Sequence, residues 1–188
     1  MLPEDKMPEA EVTLRLAISL IENEHVTDDI KVAIDGAQVK TKNTIHFPII
    51  EFLNTQGWIT ADNKERWQGK YSNKKYPISI IVHSSSGEGD LVAALKSGRK
   101  LRVESKKGTL KRSKSSQEYP LIREAIGQLM TVEYAEESDI LAVAVPKSEK
   151  FDALAEQWRI RPLIKRTGLY IITVGRDNSI NGLSEVGI

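Results

Sequence analysis

Ile140-Leu141-Ala142-Val143-Ala144-Val145 is an unbroken apolar run that ends at Pro146. A strand with one wet face alternates apolar and polar side chains, because successive residues point to opposite faces. This run does not alternate, so both of its faces must be covered. A chain that contains it needs a sheet with helices packed against it, in the α/β or α+β class. Leu169 to Val174 is a second strong β run, and 188 residues are enough to bury such a core in one compact domain.

Other elements follow from spacing. Glu11 to Glu24 reads as a helix, with Val12, Leu16, Leu20 and Ile21 on one side and Leu14 and Ile18 widening the stripe. Lys31 to Ile34 can form a short strand before the Asp35-Gly36 turn. Phe47 to Gln56 reads as a second helix, with Pro48 in its first turn and Gly57 after its end. Ile78 to Val82, Leu91 to Leu95 and Leu101 to Lys106 read as three successive strands separated by turn-forming stretches. Tyr119 to Val132 carries the clearest helical stripe, and Phe151 to Trp158 a further helix with a separate turn beyond Pro162. The expected organisation is a helical extension over residues 1–45, packed on a core formed by residues 46–188.

Composition excludes several classes. The chain has no cysteine, so thiol catalysis, disulfides and thiolate metal sites are out. His25, His46 and His83 are far apart and show no zinc spacing. No phosphate-binding glycine loop is present, and ATP-driven chemistry would need a partner subunit. No stretch is long and apolar enough to span a membrane, and the start lacks signal-peptide character. A cytoplasmic protein is the expectation.

The stretch that can carry chemistry is Asp90 with Leu101-Arg102-Val103-Glu104-Ser105-Lys106-Lys107-Gly108. In a strand, Lys100, Arg102, Glu104 and Lys106 share one face. Asp90, at the start of the preceding strand, reaches the same spot if the two strands are neighbours. Two carboxylates suit Mg²⁺, which prefers hard oxygen ligands and keeps several waters. An adjacent lysine can orient a water and stabilise charge on a phosphate in the transition state. As a base it would need a strongly lowered pKa. Taken singly, an acid-x-lysine pair is most often a surface ion pair, and a lone aspartate a turn residue; the combination carries the argument.

That combination resembles the PD-(D/E)XK nuclease superfamily, whose core runs helix, three strands, helix, strand. Its signature is an aspartate opening the second core strand and Glu-x-Lys in the third, matched here by Asp90 and Glu104-Ser105-Lys106. Gly89 stands where the family often has proline. The resemblance covers roughly residues 46 to 146 and implies an α/β restriction-endonuclease-like core, a central mixed sheet flanked by helices. It implies Mg²⁺, or Mn²⁺ in its place, on Asp90 and Glu104, with Lys106 positioning the attacking water in DNA phosphodiester hydrolysis. It also implies an acid from the first core helix, matched by Glu51 as a further metal ligand, and a glutamine after the third strand, matched by Gln128. A homodimer is a family-level expectation.

Charge distribution suggests where substrate would lie. Lys96 to Lys114 holds nine Lys or Arg residues and one acid, Glu104. Lys107, Lys111, Arg112 and Lys114 follow the strand in a Gly/Ser/Thr-rich loop suited to phosphate contacts, and Arg123 is the one basic residue of an acidic helix. Trp67, amid Arg66, Lys70, Tyr71, Lys74 and Lys75, can stack a base or support a groove contact. Two alternatives stand beside the nuclease. One is a catalytically silent nuclease-like module that binds nucleic acid or protein. The other is an assembly subunit that uses the helix Glu11 to Glu24 as a partner face.

Overall fold

Ile140, Ala142, Val143, Ala144 and Val145 are all buried, as an unalternating strand requires. The computed structural model describes residues 4–60, 66–111 and 117–186, and in it this strand lies inside a nine-stranded sheet. In chain order the first elements are β1 (Lys6–Met7), α1 (Glu9–Glu22), β2 (Ile30–Ala33), α2 (Gly36–Val39), β3 (Lys40–Thr41), β4 (Thr44–Ile45) and α3 (Ile49–Thr55). Next come β5 (Ile59–Thr60), β6 (Gly69–Ser72), β7 (Ile80–His83), β8 (Leu91–Ala94), β9 (Lys100–Ser105) and β10 (Gly108–Thr109). The rest are α4 (Glu118–Leu129), β11 (Ile140–Pro146), α5 (Glu149–Arg159), α6 (Pro162–Thr167), β12 (Leu169–Val174), β13 (Ile180–Asn181) and α7 (Leu183–Val186).

The sheet order is β13-β12-β11-β9-β8-β2-β7-β6-β5. β11 runs parallel to both β9 and β12, and β2 parallel to β7; the other pairs are antiparallel. The protein is therefore a mixed α/β fold with a mostly antiparallel, partly parallel sheet flanked by helices. One face packs Ala142, Ala144, Ile172 and Val174 into a core with α1. The other packs Val143, Val145 and Ile171 against Ile122, Ala125 and Leu129 of α4 and Phe151 and Ala155 of α5.

Two placements differ from those expected. The three strands read as successive do not pair in succession, because β2 lies between β7 and β8. Lys31↔Val92 and Val32↔Leu91 pair across β2 and β8, while Ile30 to Ala33 runs parallel to Ile80 to His83. Residues 1–45, read as an extension, thus supply an inner strand of the sheet and a helix of its core. The exposed partner face expected on Glu11 to Glu24 is also absent: every residue from Ala10 to Ile21 is buried. The polar ones among them are held in place by partners. Glu11 accepts from Arg15 Nε at 2.9 Å and from Arg176 Nε at 3.1 Å, and Arg15 Nη1 donates to Asn178 Oδ1 at 2.9 Å. Arg15 also lies over the Phe52 ring, 5.1 Å from its centroid.

Candidate active site

Strand register brings the two signature carboxylates together. Leu91 pairs with Val103 and Ala93 with Leu101, so Asp90, just before β8, falls beside Glu104. The Asp90 amide donates to the Val103 carbonyl at 2.8 Å, and Asp90 Oδ2 accepts from the Ser105 amide at 2.8 Å. Gly89 explains the missing proline. Its φ is 97°, far from proline's fixed value near −65°, and a Cβ here would stand 3.1 Å from the Val103 carbonyl oxygen. Only glycine lets the chain approach β9 this closely and still deliver Asp90.

Glu104 lies on the face of β9 turned toward α4, opposite Val143 of β11. Lys106 follows the end of β9, with its amide donating to Ala144 O at 2.9 Å. Its side chain is almost fully buried, at 4% exposure, and so its charge must be balanced nearby. Nζ lies 3.4 Å from Glu104 Oε1, 3.7 Å from Glu124 Oε1 on α4 and 3.8 Å from Glu9 Oε2 at the start of α1. One lysine is thus enclosed by carboxylates from both helical layers and from the sheet.

The electrostatics follow from that crowding. Burial, reinforced by the Glu104 charge, pushes the Asp90 carboxyl up to about 8. Burial also raises Glu104, against the pull of Lys106. For Lys106, burial works to lower the pKa, but Glu9, Glu104, Asp90 and Glu124 outweigh it and hold the ammonium above its ordinary value. Lys106 is therefore a fixed cation and hydrogen-bond donor, and the lowered pKa that a base role requires is not found.

Asp90 and Glu104 open onto a cleft of about 710 Å³. Gln128 lines it with them, as the sequence pattern suggests. Glu51 does not join the cluster: it is exposed on α3, which packs on β5 at the sheet edge. The carboxylate that α1 brings to the cluster is Glu9. Sequence reasoning missed it by starting α1 at Glu11 and assigning that helix to an extension. The available signal was Pro8-Glu9 directly ahead of the apolar stripe, since proline is favoured at helix starts.

Lys107 is exposed on the wall of a neighbouring cleft, and Lys111 is exposed. Arg112 and Lys114 lie outside the described residues. Arg123 stacks over Tyr119, 5.6 Å from the ring centroid, while Glu124 beside it turns to Lys106. Arg102, grouped with Glu104 by alternation, is buried and spends its charge on Asp139 at 2.6 Å. His83 accepts from the Ser85 amide at 3.2 Å, and burial lowers its pKa, which makes it a packed loop support.

Among the described residues, no three His, Cys, Asp or Glu side chains form a set that holds a metal ion by themselves. Two desolvated carboxylates whose pKa values are raised for want of a cation do fit Mg²⁺, whose shell keeps several waters and leaves room for substrate oxygens. No described helix is long and apolar enough to cross a membrane. No family model, curated protein or solved structure matches this chain, so the residues themselves carry the functional argument.

Proposed function

We propose that this protein is a divalent-metal-dependent nuclease, with Asp90, Glu104 and Lys106 at its centre and a restriction-endonuclease-like core beneath it. The observation that carries the reading is the pair of half-buried carboxylates on adjacent antiparallel strands, with a buried ammonium 3.4 Å from the second. Chain order supports the core: α1, β2, β8, β9, α4 and β11 run helix, three strands, helix, strand. On this reading β2 is the first core strand, residues 34–89 are an insertion ahead of Asp90 and β8, and Glu9 is the helix acid.

Asp90 and Glu104 would hold Mg²⁺, which when bound supplies Lewis acidity at the phosphate and a water of lowered pKa. The chain's own groups do the rest. The Ser105 amide orients Asp90. Glu9 and Glu124 keep Lys106 protonated, so that its Nζ can donate to a phosphate oxygen or hold the attacking water, stabilising the charge that develops on phosphorus. Gln128, on the cleft wall, would contact the strand being cut. DNA is the substrate this reading favours.

The test is cleavage of plasmid and oligonucleotide DNA with Mg²⁺ or Mn²⁺, by the native protein and by Asp90→Asn and Lys106→Ala. Metal-dependent cutting lost in both variants supports the proposal. Folded variants that cut at the native rate would overturn it. A native protein that binds DNA yet cuts nothing would favour the silent binding module.

A further inference from the structure

We infer that the nucleic acid this centre meets is unpaired, with Trp67 as the platform on which a base stacks; the inference rests on the nuclease reading above. Apart from carboxylates, the polar lining of the Asp90–Glu104 cleft is neutral: Gln68, Gln128, Thr131 and the hydroxyls of Ser84 to Ser86. No described lysine, arginine or histidine lines it. A groove that tracks a duplex backbone is cationic, because phosphates dominate its affinity. Amides, hydroxyls and an indole suit the edge and face of a base instead. A base inside a duplex has both faces covered, so an indole can stack only on one that is unpaired or flipped out.

Trp67 is preorganised for this. Its indole packs partly on the core, and its carbonyl accepts from Tyr71 Oη at 2.8 Å, which fixes the backbone. Its ring edge lies against Gly36, where an added Cβ would stand 3.9 Å from Cζ2. A volume of about 710 Å³ falls in the range of small-ligand clefts and accommodates a nucleotide.

The second cleft, about 750 Å³, does carry cations, beside the carboxylates Glu9 and Glu118. Lys6, Lys107 and His46 line it beside apolar Met7 and Leu121. Gln38 lines both clefts, and its Nε2 donates to Glu9 Oε1 at 2.7 Å, so the two clefts meet at the carboxylate cluster. A single strand with its bases beside Trp67 and its following phosphates toward Lys107 and Lys6 would pass a phosphodiester over Asp90 and Glu104.

The experiment measures binding of fluorescent dodecamers by anisotropy, with EDTA present so that nothing is cut. The probes are single-stranded DNA, single-stranded RNA and duplex DNA. Both single strands should bind about tenfold or more tighter than duplex, and the difference between them identifies the preferred sugar. Trp67→Leu keeps apolar bulk but removes the aromatic face, and should weaken single-strand binding about tenfold. Trp67→Phe should restore most of it. Equal affinity for duplex, native affinity in Trp67→Leu, or no binding of any probe would overturn the inference. Cleavage with Mg²⁺, run in parallel, separates the two proposals. Duplex cutting at the native rate by Trp67→Leu overturns only the substrate class. Single-strand binding that depends on Trp67 without cutting supports the platform and overturns the nuclease chemistry.

Discussion

The Ser105 amide donates to Asp90 Oδ2 at 2.8 Å, so the residue between Glu104 and Lys106 fixes the carboxylate that both of them face. The backbone of one segment thereby aims the side chain of the other, and β-sheet register sets the geometry of the candidate site.

Burial and the Glu104 charge outweigh that bond, which favours the ionised carboxylate, and a pH dependence follows. The folded protein keeps a proton on Asp90 up to about pH 8, whereas an unfolded aspartate releases it near 3.8. Between those values the native state binds more protons than the unfolded state, so stability falls as pH rises. This contribution is fully present below about pH 4 and lost by about pH 8. Asp90→Asn should therefore melt above the native protein without metal, by on the order of 1 kcal/mol at the alkaline end. Asp29 and Glu118, whose pKa values are lowered, contribute the opposite slope to both proteins and cancel in the comparison. A melting difference that stays constant across this pH range would refute the argument.

Metal should reverse the penalty. Mg²⁺ that binds only the folded state at about 100 times its Kd adds roughly 2.7 kcal/mol of stability. Thermal melts at pH 8 should rise with Mg²⁺ in the native protein and stay flat in Asp90→Asn. An equal rise in both would place the ion elsewhere.

Lys106 is the counter-charge of the cluster. Lys106→Met leaves Glu9, Glu104, Asp90 and Glu124 facing one another and should cost about 3 kcal/mol in urea unfolding. A loss within about 0.5 kcal/mol, the scale of a surface change, would show that the cluster carries little charge in solution.

Glu9 and Glu51 give opposite expectations. Glu9→Gln should slow cleavage about 10- to 100-fold, the range of a supporting group around a metal, and Glu51→Gln should leave it unchanged. Single-turnover rates on one oligonucleotide decide between them; the reverse order would return the helix acid to α3.

A structural control is the Arg102–Asp139 pair, 2.6 Å apart and buried at both ends. Arg102→Met alone should cost about 3–5 kcal/mol, and adding Asp139→Leu should recover most of the loss. Chemical denaturation of the three proteins measures this, and strict additivity would deny the coupling.

Local patterns were legible. Leu169 to Val174 is read to the residue, and β8, β9, β11 and α4 to within a few residues, because apolar periodicity and Gly or Pro punctuation mark them. Asp90, Glu104 and Lys106 were legible for the same reason: alternation along one strand puts Glu104 and Lys106 on one face. Strand order was not. Nothing in Ile30–Ala33 says that it pairs with Leu91 rather than remaining in an extension, since that choice depends on contacts some sixty residues apart. Glu9 was hidden with it, because a helix assigned to an extension is not expected to bring a carboxylate to Lys106. The burial of every face of α1 was also hidden: Glu11 and Arg15 look solvent-facing until Arg176 and Asn178 arrive from the other end of the chain.

That last contact has a consequence for synthesis. Glu11 has no exposed surface and is matched by Arg176, a residue made 165 positions later. Until Arg176 has left the ribosome, Arg15 alone offsets the buried Glu11 charge, and α1, which carries Glu9 at its start, is held less firmly. Contacts that span so much chain form late. The carboxylate cluster around Lys106 is therefore completed only late in synthesis, when the last strands of the sheet and Arg176 have joined α1.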